Sequence, residues 1–135
     1  MGKQYTYVYV EDDALSREIM ETLLISLIGV KNLLMLPDSA NLISRLDTLE
    51  TPPHFILLDI HVKPHNGYEL LKMLRQHPTY QSCKVLAVTA SVMSNEVNQL
   101  KAGGFDGAIG KPLDMATFPD LIRRLEAGES VWQVT

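Results

Sequence analysis

The chain has one cysteine, Cys83, among 135 residues, which excludes an intrachain disulfide and a thiolate zinc site built from this chain alone. That usage fits a reducing cytoplasm. Basic residues are also scarce, 12 Lys and Arg against 16 Asp and Glu for a net charge of −4, and the only adjacent basic pair is Arg123-Arg124. Phosphate contacts need clustered cations, so no direct nucleic-acid surface is expected. No window approaches the ~18 consecutive apolar residues of a membrane span. The start, Met1-Gly2-Lys3-Gln4, has no charged region followed by an apolar stretch, so neither a membrane segment nor a secretion signal is expected.

What is present is 46% hydrophobic residues, enough for one core in one domain, expected over residues 1–128 with a short tail, 129–135, carrying Trp132. Tyr5 to Val10 is a β-branched and aromatic run ending in Glu11-Asp12-Asp13. It reads as a first strand with an acidic end, on which Tyr5, Tyr7 and Tyr9 alternate as packing residues. A first helix is expected over Ala14 to Ile28, with Leu15, Ile19, Leu23 and Leu27 as its inward face and Gly29 as its stop. Leu33 to Leu36 is a short second strand, and Pro37-Asp38-Ser39 breaks the chain and caps a helix from Ala40 to about Leu49.

Phe55 to Leu58, a continuous apolar run, is a third strand covered on both faces. Asn66-Gly67 opens a third helix with Leu70, Leu71 and Leu74 inward. Lys84 to Ala90 is a fourth strand, Ser94 caps a fourth helix with Val97 and Leu100 inward, and Gly103-Gly104 ends it. Gly107 to Gly110 is the fifth strand, and Thr117-Phe118-Pro119-Asp120 starts a fifth helix with Thr117 as cap. Five alternations of strand and helix predict an α/β domain. The expected architecture is a doubly wound five-stranded parallel sheet of flavodoxin-like order 2-1-3-4-5 with helices on both faces.

In that order the first and third strands are neighbours across the switch point, so Glu11, Asp12 and Asp59 converge at the carboxyl edge of the sheet, where open α/β folds place their sites. Three carboxylates in one pocket repel unless a cation joins them. An all-oxygen set of this kind suits Mg²⁺, which accepts one or two carboxylates together with waters and phosphate oxygens. Thr89 and Lys111 lie at the same edge and add a hydroxyl donor and a cation. The set has the parts for phosphoryl transfer onto the Asp59 carboxylate. Taken singly, a strand-end Asp is more often a cap, and Asp13 in particular reads equally well as a residue at a helix start. His61 and His65 are four apart, but Pro64 and Gly67 make the segment a loop, so a zinc site is not expected.

These residues, in type and spacing from about Tyr5 to Leu125, resemble the receiver domain of response regulators. The resemblance implies that Glu11 and Asp12 are the acidic metal-binding pair, Asp59 the phosphoacceptor, Thr89 the switch hydroxyl and Lys111, followed by Pro112, the family's lysine, while the backbone carbonyl of His61 completes the metal shell. It implies a module that accepts, and slowly loses, a phosphoryl group on its own aspartate and is not a turnover enzyme. Its partners would be a sensor histidine kinase or histidine phosphotransfer protein, and a protein target docking on the face from the fourth to the fifth helix; homodimerisation is left open. The stretches Val88 to Met93 and Ala102 to Gly107 further resemble receivers of hybrid kinases and single-domain phosphorelay proteins.

Two departures stand out. Ala108 replaces the Tyr or Phe usual three residues before the lysine, and Lys63 stands where the family places proline, with Pro64 one residue later. Both keep open a pseudo-receiver that serves as a scaffold without phosphorylation. An aspartyl-phosphate hydrolase would want a second Asp at position 61, which is His61. A flavin carrier would need a phosphate loop where Glu11-Asp12-Asp13 stands.

Overall fold

Alternating apolar runs and helical repeats order the chain as the sequence predicts. The computed structural model describes residues 4–90 and 94–133. Parallel strands β1 (Thr6–Val10), β2 (Asn32–Leu36), β3 (Phe55–Asp59), β4 (Lys84–Thr89) and β5 (Gly107–Gly110) are joined by a sixth, β6 (Val131–Gln133). The sheet order is β2-β1-β3-β4-β5-β6. The helices are α1 (Ala14–Glu21), running into a π-helical segment Thr22–Ile28, then α2 (Leu42–Leu46), α3 (Gly67–Arg75), α4 (Ser94–Gly103) and α5 (Phe118–Glu126). None of these is long and apolar enough to cross a membrane. Residues 91–93 of the Val88 to Met93 stretch, and the side chain of Ser94 expected to cap α4, lie outside the described residues.

The central strands β1, β3 and β4 are buried on both faces because the sheet separates two cores. Val8, Val10, Ile56, Leu58, Val85 and Ala87 pack against Leu42 and Leu46 of α2, the leucines of α3 and Leu100 of α4. On the opposite face Tyr7, Tyr9, Leu57, Val88 and Ile109 meet Met20, Leu23, Leu24 and the apolar side of α5. The period-2 alternation of a strand therefore sends successive side chains into different cores.

Three expectations change in detail. Leu15, Ile19 and Leu27 are not an inward face: they are 62%, 42% and 46% exposed, and Met20, Leu23 and Leu24 are buried instead. A series spaced by four advances about 40° per step around a helix of 3.6 residues per turn, so it spirals off any single face. Ser39 does not cap α2; it is buried, and its hydroxyl donates to the His65 carbonyl and accepts from the His65 N–H, both at 2.7 Å. Thr117 stands at the start of α5 without a capping bond from its side chain. Asn66, by contrast, forms a full capping box with Glu69, a feature typically worth about 1 kcal/mol.

The segment after Gly128, expected as a tail, supplies β6. Val131 enters the α5-side core, whereas Trp132 packs against the α4-side core with the Lys101 ammonium 5.1 Å from its ring centre. Gly107 makes this possible, since a Cβ there would collide with the Val131 carbonyl oxygen. Gly107→Ala is accordingly expected to strip β6 from the edge and leave β1 to β5 in place. Hydrogen exchange should accelerate at the 131–133 amides, with a loss of roughly 1–2 kcal/mol in unfolding free energy; protection retained at those amides would contradict this account.

Candidate functional site

The site forms where β1, β3, β4 and β5 end together. Tyr9 and Glu11 share a face of the first strand, and Glu11 is fully buried just beyond Val10, with its N–H on the Leu36 carbonyl at 3.0 Å. Arg17 Nη1 donates to the Glu11 carbonyl at 2.8 Å and pins the backbone turn from strand to helix. Asp13 is the N-cap of α1, accepting from the Ser16 N–H at 2.9 Å and hydroxyl at 2.7 Å. Those bonds hold its carboxyl below the usual range, and they occupy it as a helix cap.

Glu11, Asp12 and Asp59 each offer a carboxylate oxygen within 4.8 Å of the others, with Glu11 and Asp59 buried and Asp12 exposed. It is the only such group of potential metal ligands among the described residues. Lys111 reaches in from the end of β5. Its ammonium makes a close ion pair with Glu11 Oε1 and lies 3.8 Å from Asp59 Oδ2. The backbone N–H of Lys111 donates to the Thr89 carbonyl at 2.9 Å, which ties the ends of β4 and β5 together. Asp59 Oδ1 accepts from the His61 N–H at 3.2 Å.

Gly67 closes the loop that carries His61. A Cβ at that position would stand 2.8 Å from Ile60 Cδ1 and 3.0 Å from Ile60 Cα, so only glycine admits the start of α3 this close to the end of β3. The His61 side chain is exposed, and His65 lies 3.9 Å from Glu69. Thr89, buried, has the strand parity of Val85 and Ala87. It lines a groove on the α3–α4 flank with Ile60, His61, Tyr68, Glu96 and Leu100.

The electrostatics follow from crowding anions at a buried edge. Burial, and then the neighbouring Glu11 carboxylate, push the Asp59 carboxyl up to about 6 from 3.8. Glu11 moves the opposite way, below its usual value: burial alone would raise it, but the Lys111 ammonium and further hydrogen bonds outweigh that. Tyr9 donates its hydroxyl to Glu11 Oε1 at 2.8 Å, and burial together with that anion keeps the phenol protonated. The set is oxygen-rich and carries excess negative charge against one ammonium. A hard divalent cation satisfies such a set, and the residues present fit one.

Sequence reasoning read Tyr9 as packing and passed over Arg17. The signal for Tyr9 was available, because residues i and i+2 of a strand share a face and Tyr9 stands two before Glu11. Ala108 is fully buried and pairs in register with Trp132 of β6, an aromatic supplied from a neighbouring strand.

Comparison with known proteins accords with this geometry. "Stress response regulator protein 1" of the yeast Meyerozyma guilliermondii is 30% identical over 112 residues, covering 82% of this chain and 50% of that protein. "Polar-differentiation response regulator DivK" of Brucella ovis is 31% identical over 74 residues, covering 55% of this chain and 60% of its own. The chain thus spans about half the length of the first and somewhat more of the second. Among solved structures, a two-component response regulator of the LuxR family from Aurantimonas sp. superposes with a TM-score of 0.81 at 18% identity, covering 97% of this chain and 91% of that one. The chemotaxis protein CheY4 of Vibrio cholerae gives 0.78 at 19% identity, over 90% and 98% of the two chains. The family model for the response regulator receiver domain matches residues 8–123. With that match across most of its length, the chain belongs to the response regulator receiver domain family.

Proposed function

We propose that this domain, β6 included, is a phosphorylation-controlled interaction module of a two-component or phosphorelay system, acting in the cytoplasm, with Asp59 as phosphoacceptor. The observation that carries this reading is the convergence of Glu11, Asp12 and Asp59 within 4.8 Å beside the Lys111 ammonium. An Asp59 oxygen attacks phosphorus, the phosphorus–nitrogen bond to a donor histidine breaks, and the imidazole leaves with the electron pair. The acyl phosphate remains on Asp59, and water later hydrolyses it. Glu11, Asp12, Asp59 and the His61 carbonyl would hold Mg²⁺, which when bound supplies neutralising charge between carboxylates and phosphoryl oxygens. Lys111 contributes a second positive charge there, and Thr89 the hydroxyl that follows the new anion and shifts the α4–α5 face, where a protein target docks.

The donor is a sensor histidine kinase or a histidine phosphotransfer protein. Leu15 and Ile19, exposed on α1, line an apolar groove with Lys111, Pro112 and Leu113, and this surface beside the acceptor supports docking of a donor protein. Ala108, small where an aromatic is usual, favours the second reading of a scaffold that is never phosphorylated.

One experiment separates the two. Acetyl phosphate with Mg²⁺ should add one phosphoryl mass to the wild type and none to Asp59→Asn. A wild type that neither gains mass nor binds Mg²⁺ at millimolar levels would make the scaffold the correct reading.

A further inference from the structure

The ring of Tyr9 has no exposed surface and is packed in the α5-side core with Met20, Leu57 and Val88, so its hydroxyl has a fixed origin on a central strand. That hydroxyl donates to Glu11 Oε1 at 2.8 Å, the same oxygen that the Lys111 ammonium contacts. The other oxygen, Oε2, accepts from the Asp13 N–H at 3.2 Å. We propose that Tyr9 is a positioning residue of the cation site: its hydroxyl keeps the Glu11 carboxylate in ligating orientation, both while Lys111 shares that oxygen and after Lys111 turns toward a phosphoryl group on Asp59. The proposal rests on the Mg²⁺-dependent acceptor reading given above.

Lys111 has two carboxylates to serve, Glu11 in close contact and Asp59 at 3.8 Å. A dianionic phosphoryl group on Asp59 draws the ammonium toward itself, and Glu11 Oε1 then depends on the Tyr9 hydroxyl. A buried carboxylate that loses a donor turns toward another partner, and that rotation spoils it as a metal ligand. A phenol suits this task because it donates without adding a positive charge that would compete with the cation. Ligand orientation imposed by partners of this kind changes metal affinity by roughly 10–100-fold. Tyr7 provides an internal control. Its ring is equally buried, and its hydroxyl bonds a carboxylate as well, Glu126 Oε2 at 2.6 Å, at the opposite end of the strand.

The test is titration with Mg²⁺ alone, by calorimetry, of the wild type, Tyr9→Phe and Tyr7→Phe. Tyr9→Phe should weaken Mg²⁺ by about tenfold, the effect of one hydrogen bond to a charged group, while Tyr7→Phe stays within about twofold of the wild type. Equal affinities for wild type and Tyr9→Phe overturn the proposal, and so do equal losses in both variants, which would mean general loosening. A wild type that binds no Mg²⁺ overturns the acceptor reading itself and this proposal with it, an outcome distinct from intact binding that ignores Tyr9. Should Tyr9→Phe fail to fold, ¹³Cζ-tyrosine labelling of the wild type reads the same point. The Tyr9 resonance should move with the Mg²⁺ midpoint and the Tyr7 resonance should not, and an unmoved Tyr9 resonance counts against the idea.

Discussion

Lys111→Met should lower the unfolding free energy at pH 7 by about 2–4 kcal/mol, the largest loss expected from any surface-accessible residue of the site. The reason is the carboxylate it abandons. Glu11 is wholly buried, whereas the Lys111 side chain is 21% exposed, so the substitution removes a partly solvated cation and leaves a buried anion without its countercharge. Breaking a buried pair from one side typically costs about 3–5 kcal/mol, and the solvent that reaches Lys111, with the Tyr9 hydroxyl and Asp13 N–H that Glu11 retains, reduces that figure. Chemical denaturation of Lys111→Met, Glu11→Gln and the double variant measures the pair directly. The double variant should recover more than half of the loss, because the neutral amide no longer needs the ammonium. Strict additivity would show that the two side chains are not coupled.

Asp59→Asn should do the reverse and stabilise the protein in the absence of divalent cations. Folding raises the Asp59 carboxyl from 3.8 to about 6, so between those values the native state binds the proton more tightly than the unfolded chain does. Native stability therefore falls as the pH climbs through that window, and the deficit is fully present above it. A shift of two pH units corresponds to roughly 3 kcal/mol at most, and sharing of the proton with Glu11 leaves a gain of about 1–3 kcal/mol for the amide. The amide still accepts the His61 N–H. Denaturation in EDTA at several pH values should show the two proteins matched near pH 4 and separated above pH 6, with the Asn variant the more stable. A separation independent of pH, or an Asn variant that is the weaker, would mean that Asp59 is not strained by its neighbours. Mg²⁺ should narrow the gap, since a cation removes the repulsion that the amide removes.

The alternation of strands and helices was legible because each strand here is a run of apolar residues closed by a polar or glycine-bearing end, and both cores need such runs. Asn66-Gly67 marked the start of α3 in the sequence, and Asn66 is its N-cap, in a capping box whose Glu69 half the structure adds. Glu11, Asp12, Asp59 and Lys111 were readable as a group because topology brings strand ends together even when the sequence keeps them far apart. The inward face of α1 was not readable from every fourth residue, since only a mixture of threes and fours, as in Met20, Leu23 and Leu24, stays on one side. The π-helical turn after Glu21 alters the period again. Val131-Trp132-Gln133 is too short for any periodicity to register; its pairing depends on the absence of a side chain at Gly107, a property of a different strand. The hydroxyl of Tyr9 was hidden by its own ring, since a buried aromatic satisfies a packing argument before its polar end is considered.

Trp132 is the sole tryptophan of the chain, and it rests on α4 through Lys101 beside Ala108. The protein thus carries a native optical reporter on that surface. Its emission wavelength and quenching read the distance between a helix and a strand in real time, with no dye attached and no residue altered.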